Sequence, residues 1–174
     1  MDFSRDYFEV FGLLPVFGID AETLNQRYRD LQAEGHPDRY AHADAAEQRR
    51  ALQWSTRVNE AYQTLKSPFE RARYLLERQG INALDPNNTR MPMDFLMRQM
   101  AWRESLAEAV AAGDIGALGR LEAMTRAEAD KAIQGLGELL DVRPDYPAAA
   151  EALRQYRFLE KFLVDIDNAY AEIE

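Results

Sequence analysis

Apolar residues recur three and four positions apart almost from end to end of this chain, and strict alternation is absent. A repeat near 3.6 puts such residues on one face of a helix, whereas a half-buried strand needs a repeat of two. Beta-branched residues, which suit strands, are few. The chain is therefore expected to be all-α, with helix packed on helix. Its 174 residues suffice for one ordinary domain or two small ones, and a hydrophobic share of 47% is enough for a packed core.

Punctuation residues divide the pattern. Asp2 or Ser4 is expected to cap a short helix containing Tyr7, Phe8, Val10 and Phe11, broken by the stretch from Gly12 to Gly18 with Pro15 inside it. Asp20 suits an N-cap, because its carboxylate can accept from the free amides of a first turn. Leu24, Tyr28 and Leu31 then mark one helical face, and Gly35 suits the helix end. Pro37 disfavours a helical conformation at His36, which places His36-Pro37-Asp38 in a loop. Asp44, with Glu47 three residues on, opens a helix carrying Ala51, Val58, Ala61, Tyr62 and Leu65. A fourth helix, with Phe69, Ala72, Leu75 and Leu76, ends at Gly80.

Residues 81–92 are rich in turn chemistry, notably Asp85-Pro86-Asn87-Asn88-Thr89, and present no helical face. They are read as a linker between a domain at 1–80 and another at 93–174. The charge shifts at this boundary too. Eleven basic residues stand against thirteen acidic ones up to Arg78, and ten against seventeen beyond it. Three longer helices are expected in the second half. The first ends at Gly113, the second is capped by Asp114 and ends before Pro144, and the third starts near Asp145. Short connections between long helices favour an antiparallel three-helix bundle.

Composition removes several function classes. With no cysteine, a disulfide scaffold, a thiolate-ligated zinc or iron–sulfur site and a thiol nucleophile are excluded. His36 and His42 are the two histidines, too few for a site built on several imidazoles. The net charge of −9 argues against a nucleic-acid-binding surface. The N-terminus shows no basic start followed by an apolar run, and nowhere do about eighteen apolar residues run without charge. A soluble, cytoplasmic protein that binds no membrane is expected. Gly-rich phosphate loops, a serine triad and the Glu-x-x-His pairs of a di-iron bundle are all missing, so neither catalytic residues nor a metal or other cofactor is expected.

Two constellations remain. His36-Pro37-Asp38 sets an imidazole and a carboxylate around a rigid proline, read either as an ordinary capped turn or as a recognition loop. Tyr28-Arg29-Asp30-Leu31, His36-Pro37-Asp38-Arg39, Val58-Asn59-Glu60-Ala61-Tyr62-Gln63-Thr64-Leu65 and Ser67-Pro68, together with Asp6-Tyr7-Phe8 and Phe11-Gly12-Leu13, resemble a J domain in the right order. A J domain is a helical hairpin with short flanking helices. The resemblance implies docking of His36, Pro37 and Asp38, with Arg27 and Arg29 as the basic face, onto a heat-shock-70-class chaperone whose ATPase is thereby stimulated. Many J domains carry a basic residue and an aromatic just before this motif; Glu34 and Gly35 stand there in this chain, lowering the local positive charge and loosening the join.

The second constellation lies on the helix that follows the linker. Phe95, Trp102 and Leu106 form one stripe by spacing, and Met93, Leu96, Met97 and Met100 form another. Either both stripes are buried, or the second is an exposed, adaptable methionine-rich binding surface. The segments Phe95-Leu96-Met97-Arg98-Gln99-Met100-Ala101-Trp102-Arg103-Glu104-Ser105-Leu106 and Arg157-Phe158-Leu159-Glu160-Lys161-Phe162 resemble the C-terminal domain of the HscB family, J-type co-chaperones of iron–sulfur cluster assembly. That resemblance favours the exposed surface. It implies that Leu96, Met97, Met100, Arg103, Glu104, Glu108 and Phe158 meet the iron–sulfur scaffold protein. Phe158 neighbours Leu159 and so points differently from at least one core residue of its helix. At Ala101 the family often has an acidic residue. The implied function is delivery of the scaffold to the chaperone; a J protein with another client, and a purely structural helical protein, are the rival readings.

Overall fold

The computed structural model describes residues 1–88 and 90–173, with Pro37 described by its backbone. Seven α-helices and no strand occur among the described residues. They fall into two compact units, Met1–Leu75 and Leu76–Glu174.

In the first unit, α1 (Tyr7–Val10) is capped by Asp6, not by Asp2 or Ser4. A reciprocal box closes its start: the Glu9 amide donates to the Asp6 carboxylate at 2.9 Å, and the Asp6 amide donates to the Glu9 carboxylate at 2.8 Å. Asp2 instead holds a turn, accepting from the Ser4 amide and hydroxyl. Gly12 ends α1 at φ +57°, a left-handed conformation that suits a residue without Cβ.

Asp20 caps α2 (Ala21–Glu34) as expected, accepting from the Thr23 amide at 2.9 Å. The Thr23 hydrogen bonds hold its carboxyl below the usual carboxylate range. Asp44 caps α3 (Ala45–Lys66) through the amides of Ala46 and Glu47. The helices α2 and α3 pack together, with α1 against α3. Polar pairs fix their register: the Tyr62 hydroxyl donates to Asn25 and the Tyr28 hydroxyl to Asn59, each at 2.8 Å. Contacts that step forward along α2 step backward along α3, so the pair is an antiparallel hairpin. The rings of Tyr28 and Tyr62 stack between these bonds at 3.8 Å. Buried Phe8, Phe11, Leu24, Val58, Ala61 and Leu65 make the core, joined by Trp54, which the periodicity reading left out. The helix α4 (Pro68–Arg78) supplies Phe69 and Ala72, and its Tyr74 stacks on Tyr7 at 4.6 Å.

The second unit is the expected bundle of α5 (Met93–Ala112), α6 (Ile115–Gly137) and α7 (Tyr146–Ile173). Gly113, at φ +61°, closes α5 in the left-handed conformation, and the Asp114 amide reaches back to the Ala109 carbonyl at 3.0 Å. The Asp114 carboxylate then accepts from the Ala117 amide, so two residues end one helix and start the next. Phe95, Trp102, Leu121, Ala129, Leu159, Phe162 and Ile166 form the principal core. Buried Thr125 satisfies its hydroxyl on the Leu121 carbonyl at 2.8 Å. Beyond α6 the chain widens into a π-helical turn, Glu138–Val142, before Pro144. Residues 81–88 and 90–92 lie within this unit, and Arg154 of α7 donates to the carbonyls of Ala83 and Arg90 at 3.2 and 3.3 Å.

Candidate functional site

The His-Pro-Asp segment is not an unstructured loop. Residues Pro37–Tyr40 form a 3-10 turn with His36 as its N-cap, in extended conformation as a residue before proline prefers. The Asp38 amide donates to His36 Nδ1 at 3.3 Å, and that nitrogen lies 3.5 Å from the Asp38 carboxylate. Both side chains project outward, 58% exposed for His36 and 90% for Asp38. Bracing comes from both flanks. Arg39 donates to the Ala33 carbonyl at 3.4 Å, and the Gln48 side chain of α3 donates through Nε2 to the carbonyls of Tyr40 and Ala43. Gly35 does not loosen the join: it is buried, and its amide donates to the Leu31 carbonyl at 3.0 Å. A Cβ there would lie 3.4 Å from the Leu31 carbonyl oxygen and 3.8 Å from the Trp54 ring, ordinary van der Waals contacts, so the position has room for a small side chain.

Arg27 and Arg29 lie in different environments. Arg29 is exposed and donates to the Gln26 side chain at 2.6 Å. Arg27 is half-buried, and its guanidinium donates to the carbonyls of Phe11 and Gly12. Those carbonyls lie at the end of α1, so Arg27 ties α2 to the connection that precedes it. Replacing Arg27 by Ala is expected to destabilise the first unit by about 1–3 kcal/mol, the range for lost charge-assisted bonds; urea unfolding measured against Arg29→Ala, which should cost less than about 0.5 kcal/mol, checks this.

On α5 the two stripes separate. Phe95 and Trp102 are buried and Leu106 is half-buried, whereas Met93 (72%), Leu96 (38%), Met97 (66%) and Met100 (73%) are exposed. Arg103, Glu104 and Glu108 are exposed on the same helix. Phe158 differs from expectation. It is half-buried and joins the aromatic core, stacked on Phe162 at 5.9 Å and on Trp102 at 6.2 Å, with its edge to Phe95 at 5.7 Å. One side remains within reach of α5, where the Arg103 guanidinium stands 5.7 Å from its ring. The structure thus brings Arg103 and Phe158 together from separate helices. Arg98, which sequence reasoning passed over, lies over Phe95 and Trp102 and pairs with Glu128 of α6 at 3.2 Å. Its signal was the spacing, three residues after Phe95 and four before Trp102.

An antiparallel hairpin bearing a projecting His-Pro-Asp turn, followed along the chain by a three-helix bundle, defines a two-part, all-helical J protein. Residues 91–167 match a family model described as the HSCB C-terminal oligomerisation domain, and a co-chaperone protein HscB homolog of Azoarcus sp. (strain BH72) is 44% identical over 174 residues, 100% of this chain and 98% of that one. The chain belongs to the HscB family of co-chaperones. Among solved structures, the chaperone HscB from Vibrio cholerae has a TM-score of 0.80 at 34% identity, covering 98% of this chain and 100% of that one. Human co-chaperone protein HscB has a TM-score of 0.83 at 29% identity, covering 97% of this chain and 83% of that one. Among the described residues, no helix is long and apolar enough to cross a membrane.

Proposed function

We propose that this co-chaperone stimulates the ATPase of a heat-shock-70-class chaperone and delivers an iron–sulfur scaffold protein to it, acting in the cytoplasm and by binding alone. The observation that carries the reading is the braced turn with His36 and Asp38 held outward. A recognition element already fixed in its bound shape loses little entropy on docking. His36, Pro37 and Asp38 make the specific contacts, and Arg29 adds a cation that steers an acidic partner. Arg27 contributes to this face while tying its helix to the end of α1.

The scaffold sits on α5 against Leu96, Met97 and Met100, flanked by Arg103, Glu104 and Glu108, with Phe158 at the edge. Unbranched thioether side chains adapt to an apolar partner, and the charged rim sets its orientation. The functional division follows the sequence boundary, with chaperone docking in residues 1–80 and scaffold binding in 93–174. Steady-state ATPase of the cognate chaperone tests the whole reading. Adding this protein should raise the rate, and adding protein and scaffold together should raise it further than either alone. A rate unmoved by this protein at saturating concentration removes the co-chaperone mechanism; stimulation that ignores the scaffold leaves a J protein with another client.

A further inference from the structure

The chain holds six methionines and no cysteine. Three of the six are far more exposed than the rest: Met93 at 72%, Met97 at 66% and Met100 at 73%, against 46% for Met1, 41% for Met124 and a half-buried Met91. These three share one face of α5 at positions i, i+4 and i+7, with Leu96 among them. We propose that Met93, Met97 and Met100 form a methionine-oxidation site, whose conversion to sulfoxides weakens the binding face that they build.

The chemistry needs only solvent access to sulfur and a two-electron oxidant such as hydrogen peroxide. One oxygen passes from peroxide to each thioether: a sulfur–oxygen bond forms, the peroxide O–O bond breaks, sulfur gives up two electrons, and the other oxygen leaves as water. Susceptibility of methionine follows exposure, so this face oxidises first. With no thiolate in the chain, no faster intramolecular sink competes for the oxidant. Each sulfoxide places a strong, hydrated acceptor where an apolar partner must displace water, and burying it without a donor is costly. Each also occurs as two epimers, which removes the single packed arrangement of the stripe. Two dithiol-dependent methionine sulfoxide reductases, one for each epimer, together reverse the change. The loss of binding rests on the scaffold reading of this face; the order of oxidation does not.

The full-length protein is treated with graded hydrogen peroxide and its peptides are mass-mapped. Met93, Met97 and Met100 should oxidise several-fold faster than Met91 and Met124; equal rates overturn the site. Titration with the apo scaffold protein of the same organism should then show about tenfold weaker binding after oxidation, restored by dithiol with the reductases for both sulfoxide epimers, with unchanged circular dichroism. Full oxidation with unaltered affinity overturns the effect on binding. A Met93→Leu, Met97→Leu, Met100→Leu variant, compared only with itself before and after peroxide, should show no such loss; an equal loss assigns the effect to damage elsewhere. Failure of the untreated protein to bind the scaffold would overturn the scaffold reading, while the oxidation order would still decide whether the site exists.

Discussion

A His36→Ala, Asp38→Ala double variant is expected to lose its stimulation of the chaperone's ATPase while keeping its helical circular dichroism and its melting temperature. Both side chains project from a short turn and are mostly exposed, so truncating them opens no cavity. The turn keeps its braces from Gln48 and Arg39. Anchors in a small interface cost about 2 kcal/mol or more each when truncated, which is about thirtyfold per residue in the concentration needed for half stimulation. Full stimulation by the folded double variant would remove the turn from the mechanism. A lowered melting temperature would mean instead that the His36–Asp38 pair matters to the fold.

A Leu96→Ala, Met97→Ala variant is expected to bind the scaffold at least about thirtyfold more weakly, from the loss of about 2 kcal/mol or more, and to keep its stability. Its J-type stimulation in the absence of scaffold should persist. Phe158→Ala should behave differently because its ring stacks on Trp102 and Phe162. Removing a half-buried ring is expected to cost about 2 kcal/mol of folding stability as well as binding. Isothermal titration with the scaffold and chemical unfolding of each variant separate the two outcomes. Unchanged scaffold affinity in the Leu96, Met97 variant would mean that this stripe is not the binding face.

Much of this architecture was legible because it depends on local rules. Asp20, Asp114 and Gly113 announce helix ends through interactions within a few residues, and the helices begin and end there. The two stripes of α5 were also separable by spacing, since one helix cannot turn both towards the same core. What spacing could not supply were relations between distant residues. Arg27 reads as a surface cation until the carbonyls of Phe11 and Gly12, some fifteen positions earlier, are brought to it. Phe158 reads as off the stripe because it neighbours Leu159, yet a large ring reaches the core edge from a flanking position. Gly35 reads as slack because glycine is permissive, and only its burial and the bond from its amide to the Leu31 carbonyl show that the join is held. The π-helical turn at Glu138–Val142 left no periodic trace, since a single widened turn just before a proline resembles an ordinary helix end.

The chain's two tryptophans divide one to each unit. Trp54 lies beside Gly35 with Phe3 packed edge-on against it, and Trp102 lies in the bundle between Phe95, Phe158 and Phe162. Both indoles are shielded from water, so each emits from its own apolar surroundings. Intrinsic fluorescence is thus a two-channel readout already present in the molecule. In a Trp54→Phe protein the remaining emission comes wholly from the bundle, and in a Trp102→Phe protein wholly from the hairpin. Unfolding of either half can then be followed optically in the intact chain, without a fluorophore being attached.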